Sequence, residues 1–137
     1  MLSLSSGCQD PKLSAKNKTL SLCSAGKTQP IYISAATGTA ERVETEGDVF
    51  PLGILKEVQY EETRLDLEAR DKVILYTDGV VETMNAQKEM FGFDRLLEVA
   101  ENSQAMTAES LLEAIKSSVN DFAGGAPQHD DITVIVI

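Results

Sequence analysis

Residues 73–79 read Val-Ile-Leu-Tyr-Thr-Asp-Gly, an apolar run that stops at a carboxylate and a glycine. Residues 130–137 reverse this order, because Asp-Asp-Ile-Thr comes before Val-Ile-Val-Ile. Both runs have the β-branched composition of strands that are buried on both faces. We therefore predict that they form neighbouring or facing central strands, which bring Asp78 and Asp130 to one edge of a sheet.

Most of the other predicted strands come before the first of these runs. Segments 1–6 and 19–24 indicate one hairpin with a loose loop. Segments 30–33 and 42–44 flank an Ala-Thr-Gly-Thr turn and indicate a second hairpin. An acidic segment with imperfect alternation follows over 58–67. The first half of the chain is therefore predicted to be mainly β-structure.

Two amphipathic helices are predicted between the two apolar runs. Residues 93–102 repeat apolar side chains at helical spacing, and a longer helix begins after an N-cap at Thr107 and ends at Gly124. The order of strands, then helices, then a last strand is typical of layers rather than of alternating β-α-β units. We predict an α+β fold in which helices pack on a mostly antiparallel sheet.

Composition limits the possible functions. The 137 residues are 42% hydrophobic, which suits one domain or a piece of one. The net charge of −10 argues against a nucleic-acid partner, because such partners are bound largely through Lys and Arg. No apolar run approaches the roughly 18 residues of a membrane span, and two cysteines without a CxxC pair fit a reducing compartment. We expect a cytoplasmic protein without direct membrane contact.

The carboxylates at the strand ends are the candidate functional residues. A Thr-Asp-Gly triplet alone is most often a turn, and the pair Asp130-Asp131 could be a solvated cap. Two adjacent carboxylates directly before an apolar strand are nevertheless unfavourable unless a cation or a helix N-terminus compensates them. Mg²⁺ and Mn²⁺ prefer oxygen ligands of this kind. The residues therefore favour a site for a hard divalent cation.

Five motifs, taken in order, resemble one protein family. They are Ser-Ala-Gly-Lys-Thr-Gln-Pro at 24–30, Pro-Leu-Gly at 51–53, the segment 71–85 with Thr-Asp-Gly-Val-Val-Glu inside it, Met-Phe-Gly at 90–92 and Gln-His-Asp-Asp-Ile-Thr at 128–133. Together they resemble the C-terminal two thirds of a PPM-type metal-dependent serine/threonine phosphatase, of the bacterial branch named for stage II sporulation and sigma-factor regulation. This resemblance implies an antiparallel β-sandwich flanked by helices, with Mg²⁺ or Mn²⁺ at one edge.

The resemblance also implies roles for single residues. Asp78 matches the family's central metal-binding aspartate, and Asp130 matches its last one. Gly79 allows close backbone approach at that edge, and Asp131 is implied to orient the neighbouring ligand rather than to bind metal. The complete domain would hold two ions and use a metal-bound water as nucleophile. No residue of this chain is assigned as a catalytic side chain.

Two departures from the family pattern affect these expectations. The family's N-terminal Asp-Gly edge and Gly-His-Gly motif, whose aspartate bridges both metals, has no counterpart here. We therefore expect residues 1–137 to be an N-terminally truncated phosphatase domain. Lys27 stands where relatives usually carry histidine. Two roles stay open for it: it could change the surroundings of the phosphate or metal, or it could be a solvated loop lysine. His129 is expected to be a neighbour of the site rather than a general acid.

Three functions are consistent with this sequence. The first is dephosphorylation of phosphoserine or phosphothreonine on a regulatory protein, such as an anti-sigma-factor antagonist. The second is a noncatalytic interaction module that binds a partner without turnover, and the third is an inactive fragment. The absent N-terminal motif favours the second and third, whereas the two aspartates favour the first. An uncovered sheet edge would also make self-association possible.

Overall fold

The structure, a computed structural model, describes residues 19–26, 28–45, 50–54 and 57–137. The strand predicted over residues 1–6, and Lys27, lie outside the described residues. The strands and helices follow one another in the order β1 Thr19–Cys23, β2 Ile31–Ile33, β3 Ala40–Arg42, β4 Glu62–Asp66, β5 Lys72–Tyr76, α1 Asp78–Val81, α2 Gly92–Glu101, α3 Ala108–Ala123 and β6 Val134–Val136. The predicted order of strands, helices and a last strand is confirmed.

The described strands form two antiparallel sheets. Strand β1 pairs with β4, so that Leu20 lies opposite Leu65. The other sheet has four strands in the order β3-β2-β5-β6. Strand β5 therefore lies between two neighbours, as its apolar sequence predicts. The predicted hairpin of β2 and β3 is present, with Ile33 opposite Ala40. The α+β class and the antiparallel pairing are confirmed.

Helices α2 and α3 cover one face of the four-stranded sheet. The core between these layers consists of apolar residues that are almost fully buried, namely Ile31, Ile33, Ile74, Tyr76, Val80, Phe91, Leu96, Ala100, Leu111, Ile115 and Val119. The core residues on α2 and α3 are buried because their helical spacing places them on one face of each helix. Each fully buried aliphatic side chain in such a core contributes about 1.5–3 kcal/mol to folding.

The predicted ends of α3 are confirmed by their capping geometry. The Thr107 side chain accepts a hydrogen bond from the backbone N–H of Ser110 at 3.1 Å. Gly124 has a φ of 57°, the left-handed conformation that commonly ends a helix. These caps satisfy backbone groups that the helix leaves without partners, which explains why the sequence located this helix well.

The two apolar runs differ in burial. Val73 is fully buried on the face of β5 opposite to Ile74, because successive side chains of a strand alternate. Strand β5 is therefore buried on both faces, as predicted. The same prediction for residues 132–137 is wrong, because Ile135 is 40% exposed and burial alternates along β6. Within the described residues β6 pairs only with β5, and α3 packs against it, so its other face has no comparable cover.

Two further local expectations need correction. Asp78–Val81 forms one helical turn where the Thr-Asp-Gly triplet suggested a simple turn. The backbone N–H of Glu82 donates to the Asp78 carbonyl at 2.9 Å and closes this turn. Cys23 is half-buried, whereas its apolar, strand-like sequence context suggested a buried, reduced thiol. Among the described residues, no helix is both long and apolar enough to cross a membrane.

Candidate active site

The pairing of β5 with β6 brings the acidic segments to one edge of the sheet. Tyr76, the last residue of β5, lies opposite Val134, the first residue of β6. The residues directly after β5 and directly before β6 therefore meet at the same edge. The structure thus places Asp78 and Asp130 as the sequence predicted, at one edge rather than at opposite ends.

Thr77 fixes the two segments to each other. Its backbone N–H donates to the Thr133 carbonyl at 3.1 Å. Its hydroxyl donates to the Asp131 carbonyl at 3.0 Å and accepts from the Thr133 N–H at 3.0 Å. One side chain therefore extends the β5–β6 pairing beyond the last regular residues. This role was not predicted, because it depends on a register that the sequence alone does not give.

Gly79 lies directly against the second segment. A Cβ atom at this position would be 2.4 Å from the Asp131 carbonyl oxygen and 3.0 Å from its carbonyl carbon. These distances are shorter than any normal contact, so a larger residue would push the Asp130-Asp131 backbone away. The expected close backbone approach at Gly79 is confirmed, and it sets how near the two aspartates can come.

The aspartates of this edge are exposed to solvent. Asp78, Asp130 and Asp131 are all exposed, and no described Lys or Arg forms a salt bridge with them. The backbone N–H of Asp131 donates to Asp130 Oδ1 at 2.7 Å. Gln128 donates through Nε2 to the Asp130 carbonyl at 2.7 Å. The contact of Asp131 with the neighbouring carboxylate is thus made by its backbone N–H.

The donors of this edge fit a divalent cation in kind. Mg²⁺ is usually held by one or two carboxylates, with water and substrate phosphate as the remaining ligands. Two exposed carboxylates at one edge match that pattern. In the part of the chain that the structure describes, no group of three or more His, Cys, Asp or Glu side chains could hold a metal ion. Two carboxylates alone would therefore leave the ligand shell of such an ion incomplete.

The other motifs of the sequence reach the same edge. Thr28 donates a hydrogen bond from its hydroxyl to the Tyr76 carbonyl, directly before the Thr-Asp-Gly turn. A Cβ at Gly26, whose φ is 68°, would be 2.7 Å from Pro51 Cγ. The motifs at 24–30 and 51–53 are therefore packed together and connected to the end of β5. These two motifs, although separate in the sequence, therefore lie near the same end of the sheet.

An arginine that the sequence did not single out stands at this end of the sheet. Arg42 ends β3 and lies opposite Ile31, which in turn lies opposite Ile74. Its guanidinium carbon is 3.5 Å from the Phe93 ring centroid. Burial raises the pKa of the Tyr76 hydroxyl. The positive charge of Arg42 lowers this pKa, and the Asp78 carboxylate raises it further. Only the strand pairing reveals this position, so no sequence pattern could have identified it.

A cavity of about 600 Å³ adjoins the acidic edge. It lies between the segment after β5, the end of α3 and the segment before β6. Its lining contains Gly79, Glu82, Thr83, Met84, Met90, Val119, Asn120, Ala123, Gly125, Ala126, Pro127, Gln128, His129, Asp130 and Ile132. His129 is exposed and lines this cavity beside Asp130, which agrees with its expected place next to the site.

Comparison with known proteins identifies a family and a curated relative that this chain resembles in sequence. The family model described as Stage II sporulation protein E (SpoIIE) matches residues 12–137. Protein IcfG of Synechocystis sp. is 31% identical over 122 residues, which are 88% of this chain and 18% of that protein. The chain therefore spans less than a fifth of this relative.

Several solved structures have the same fold. The SiaA-PP2C domain of Pseudomonas aeruginosa superposes with a TM-score of 0.72 at 20% identity, over 91% of this chain and 48% of that one. The manganese-soaked phosphatase domain of SpoIIE from Bacillus subtilis gives 0.61 at 16% identity, over 89% and 51%. The RsbU and RsbW domains of Rv1364c from Mycobacterium tuberculosis give 0.63 at 20% identity, over 88% and 32%. The chain spans about half or less of each solved structure.

Proposed function

The chain belongs to the stage II sporulation protein E (SpoIIE) family, and on this premise we propose that it is a metal-dependent protein serine/threonine phosphatase. The proposed reaction is hydrolysis of phosphoserine or phosphothreonine on a regulatory protein, such as an anti-sigma-factor antagonist. The main support is that Thr77 and Gly79 bind the two acidic segments together. This contact puts Asp78 and Asp130 at one solvent-exposed edge.

We assign the metal ligands of this chain to Asp78 and Asp130, for Mg²⁺ or Mn²⁺, with two ions in the complete domain. Such ions, when bound, neutralise phosphate charge and make a bound water nucleophilic. The residues of this chain position the site. Thr77 fixes the distance between the segments, Gly79 permits their close approach, and the Asp131 N–H orients Asp130. Such supporting contacts are needed because ligands that are loosely held bind metal poorly.

A noncatalytic interaction module, or an inactive fragment, is the alternative function. It is favoured by the small number of metal-ligating side chains that the described residues bring together. In this alternative, the same edge and its cavity bind a protein partner without hydrolysis. The two functions differ in whether turnover depends on the two aspartates.

The decisive assay is Mn²⁺-dependent hydrolysis of p-nitrophenyl phosphate. We expect negligible hydrolysis by the 137-residue chain, because two carboxylates leave the metal shell incomplete. We expect activity when the chain is preceded by the family's N-terminal segment with its bridging aspartate. Asp78→Asn or Asp130→Asn should then reduce this activity by at least about a hundredfold, because loss of mere supporting groups already costs 10–100-fold.

Asp121→Asn is the matched control, since Asp121 is an exposed aspartate on α3. It should keep the activity of the extended chain. Full activity in both ligand variants would show that the ligands are assigned wrongly. An extended chain that folds, binds a phosphoprotein and never hydrolyses it would establish the noncatalytic alternative.

The remaining proposals concern partners and location. The charge of −10 supports a protein partner over nucleic acid, and we place the protein in the cytoplasm without direct membrane contact. Self-association stays a prediction. It is supported by Ile135 and Ile137, which are exposed on and just after β6, a strand with one described neighbour. Sedimentation velocity of the 137-residue chain tests it, and a monomer at all concentrations would contradict it.

A further inference from the structure

The lining of the cavity beside the acidic edge combines apolar side chains with two carboxylates. Met84, Met90, Val119, Pro127 and Ile132 contribute apolar side chains to its lining. Its volume of about 600 Å³ lies within the range of about 300–1,000 Å³ that is usual for ligand pockets. Met90 is 52% exposed there, although it is a large apolar residue. An apolar occupant would remove this surface from water, and methionine adapts readily to different occupants.

The charged groups of the cavity are mainly of one sign. Glu82 and Asp130 are acidic, and the described residues of the lining include neither Lys nor Arg. Glu82 is exposed, and none of the salt bridges between described residues involves it. The chain as a whole carries a charge of −10. Complementarity therefore favours an occupant with a basic group against Glu82.

The cavity is continuous with the proposed catalytic edge. Gly79 and Asp130 belong to both, and His129, which precedes Asp130 in the sequence, also lines the cavity. A chain segment seated in the cavity would therefore pass beside Asp130 and Gly79, the residue next to Asp78. Neither the apolar side chains of the lining nor Glu82 is needed to bind a phosphate group or a metal ion.

From these features we propose that the cavity selects the phosphoprotein substrate by its flanking sequence. It takes an apolar side chain near the phosphorylated residue and places a neighbouring Lys or Arg against Glu82. This inference rests on the proposed phosphatase function and adds a substrate class to it, namely phosphorylated segments with basic and apolar flanks. The pocket accounts for selectivity, whereas the aspartates account for the reaction.

Peptide binding tests the proposal without requiring turnover. The probe is a fluorescein-labelled phosphoserine peptide with Arg and Leu as flanking residues, titrated with the 137-residue chain in Mn²⁺ buffer and followed by anisotropy. We expect saturable binding. Glu82→Lys should weaken it about tenfold, because the substitution removes an attraction and adds a repulsion. Replacing the peptide Leu by Ser should also weaken binding to the unsubstituted chain.

A reciprocal exchange of charge makes the test specific. The peptide with Glu in place of Arg should bind poorly to the unsubstituted chain and better to Glu82→Lys. Glu101→Lys is the matched control, because Glu101 is an exposed glutamate at the end of α2 and does not line the cavity. It should bind both peptides like the unsubstituted chain. Circular dichroism of each variant confirms that the fold is kept.

The outcomes separate this proposal from the phosphatase function. Absence of peptide binding, or binding that ignores both Glu82→Lys and the peptide Leu, would overturn the pocket. Hydrolysis by the extended chain could still occur in that case. Binding that depends on Glu82, in a protein whose extended form never hydrolyses phosphate, would overturn the phosphatase function and leave a binding pocket for basic, apolar segments.

Discussion

Strand β5 has an aspartate near each end, and the two aspartates have opposite surroundings. Asp71, before the strand, accepts hydrogen bonds from the Tyr32 hydroxyl at 2.7 Å, the Ala35 N–H at 2.8 Å and the Glu68 N–H at 2.7 Å. Asp78, after the strand, is exposed and forms no salt bridge with a described residue. The first carboxylate is used by the fold, and the second is exposed to solvent.

The pKa of Asp71 reflects this difference. Partial burial of its carboxyl would raise the pKa, but the hydrogen bonds from Ala35, Tyr32 and Glu68 outweigh burial and lower it. The Tyr32 hydroxyl responds in the opposite direction, because its hydrogen bond to the Asp71 carboxylate raises its pKa. A carboxylate with this many donors stabilises a connection between loops and has little capacity left for a metal ion. Equal residue types therefore do not imply equal roles.

The largest effect on stability should come from the close packing that supports the open end. Gly79→Ala would place a Cβ 2.4 Å from the Asp131 carbonyl oxygen, and we expect a loss of about 3 kcal/mol in the free energy of unfolding. Urea denaturation measures this loss. Gly53→Ala is the control, since its Cβ meets nothing within 4 Å and only its φ of 86° is strained, at a cost of about 1 kcal/mol. Equal losses in the two variants would show that close packing of Gly79 against Asp131 adds nothing to stability beyond the cost of the control substitution.

The comparison itself predicts unequal effects of the same substitution at the two ends. Asp71→Ala leaves three donors without their acceptor, and we expect a loss of about 2 kcal/mol, reduced by the partial exposure of the site. Asp78→Ala should change stability by no more than about 0.5 kcal/mol, the usual range for surface positions. Urea denaturation of both variants decides the matter. Similar losses would remove the distinction between a structural and an open aspartate.

A smaller effect is expected in the dependence of stability on pH. The pKa of Asp71 is lowered from 3.8 in the folded state, so its contribution is complete above pH 3.8 and is lost as the pH falls through the folded pKa. Asp71→Asn should therefore lose less stability than the unsubstituted chain on acidification below about pH 4. Thermal melts between pH 2 and 7 measure this. Parallel pH profiles for the two proteins would contradict the assignment.

The sequence predicted the elements whose local signals agree with their surroundings. Thr107 and Gly124 mark the ends of α3 because capping is a local interaction. The apolar run of β5 predicted a central strand because burial on both faces requires apolar side chains in succession. The edge shared by Asp78 and Asp130 was also predicted, because the two apolar runs were expected to be neighbouring or facing strands and such strands bring their ends together.

The features that the sequence did not predict depend on contacts between distant segments. Residues 132–137 look equally apolar on both faces, yet β6 is half exposed, because its main contacts with the described elements are those with α3 and β5. Thr77 could not be identified as the residue that links the two acidic segments, because its partners lie more than fifty residues away. Arg42 and the cavity likewise follow from strand register and helix packing rather than from a local pattern.

Binding of Mn²⁺ tests the central claim, that the open end of β5 is a metal site, most directly. Free and bound Mn²⁺ are distinguished by electron paramagnetic resonance during titration of the 137-residue chain. The unsubstituted chain should bind one ion weakly, and Asp78→Asn and Asp130→Asn should each weaken binding at least about tenfold. Asp71→Asn, with its change at the hydrogen-bonded end, should bind like the unsubstituted chain. Binding that survives both ligand substitutions, or that Asp71→Asn weakens equally, would contradict the claim.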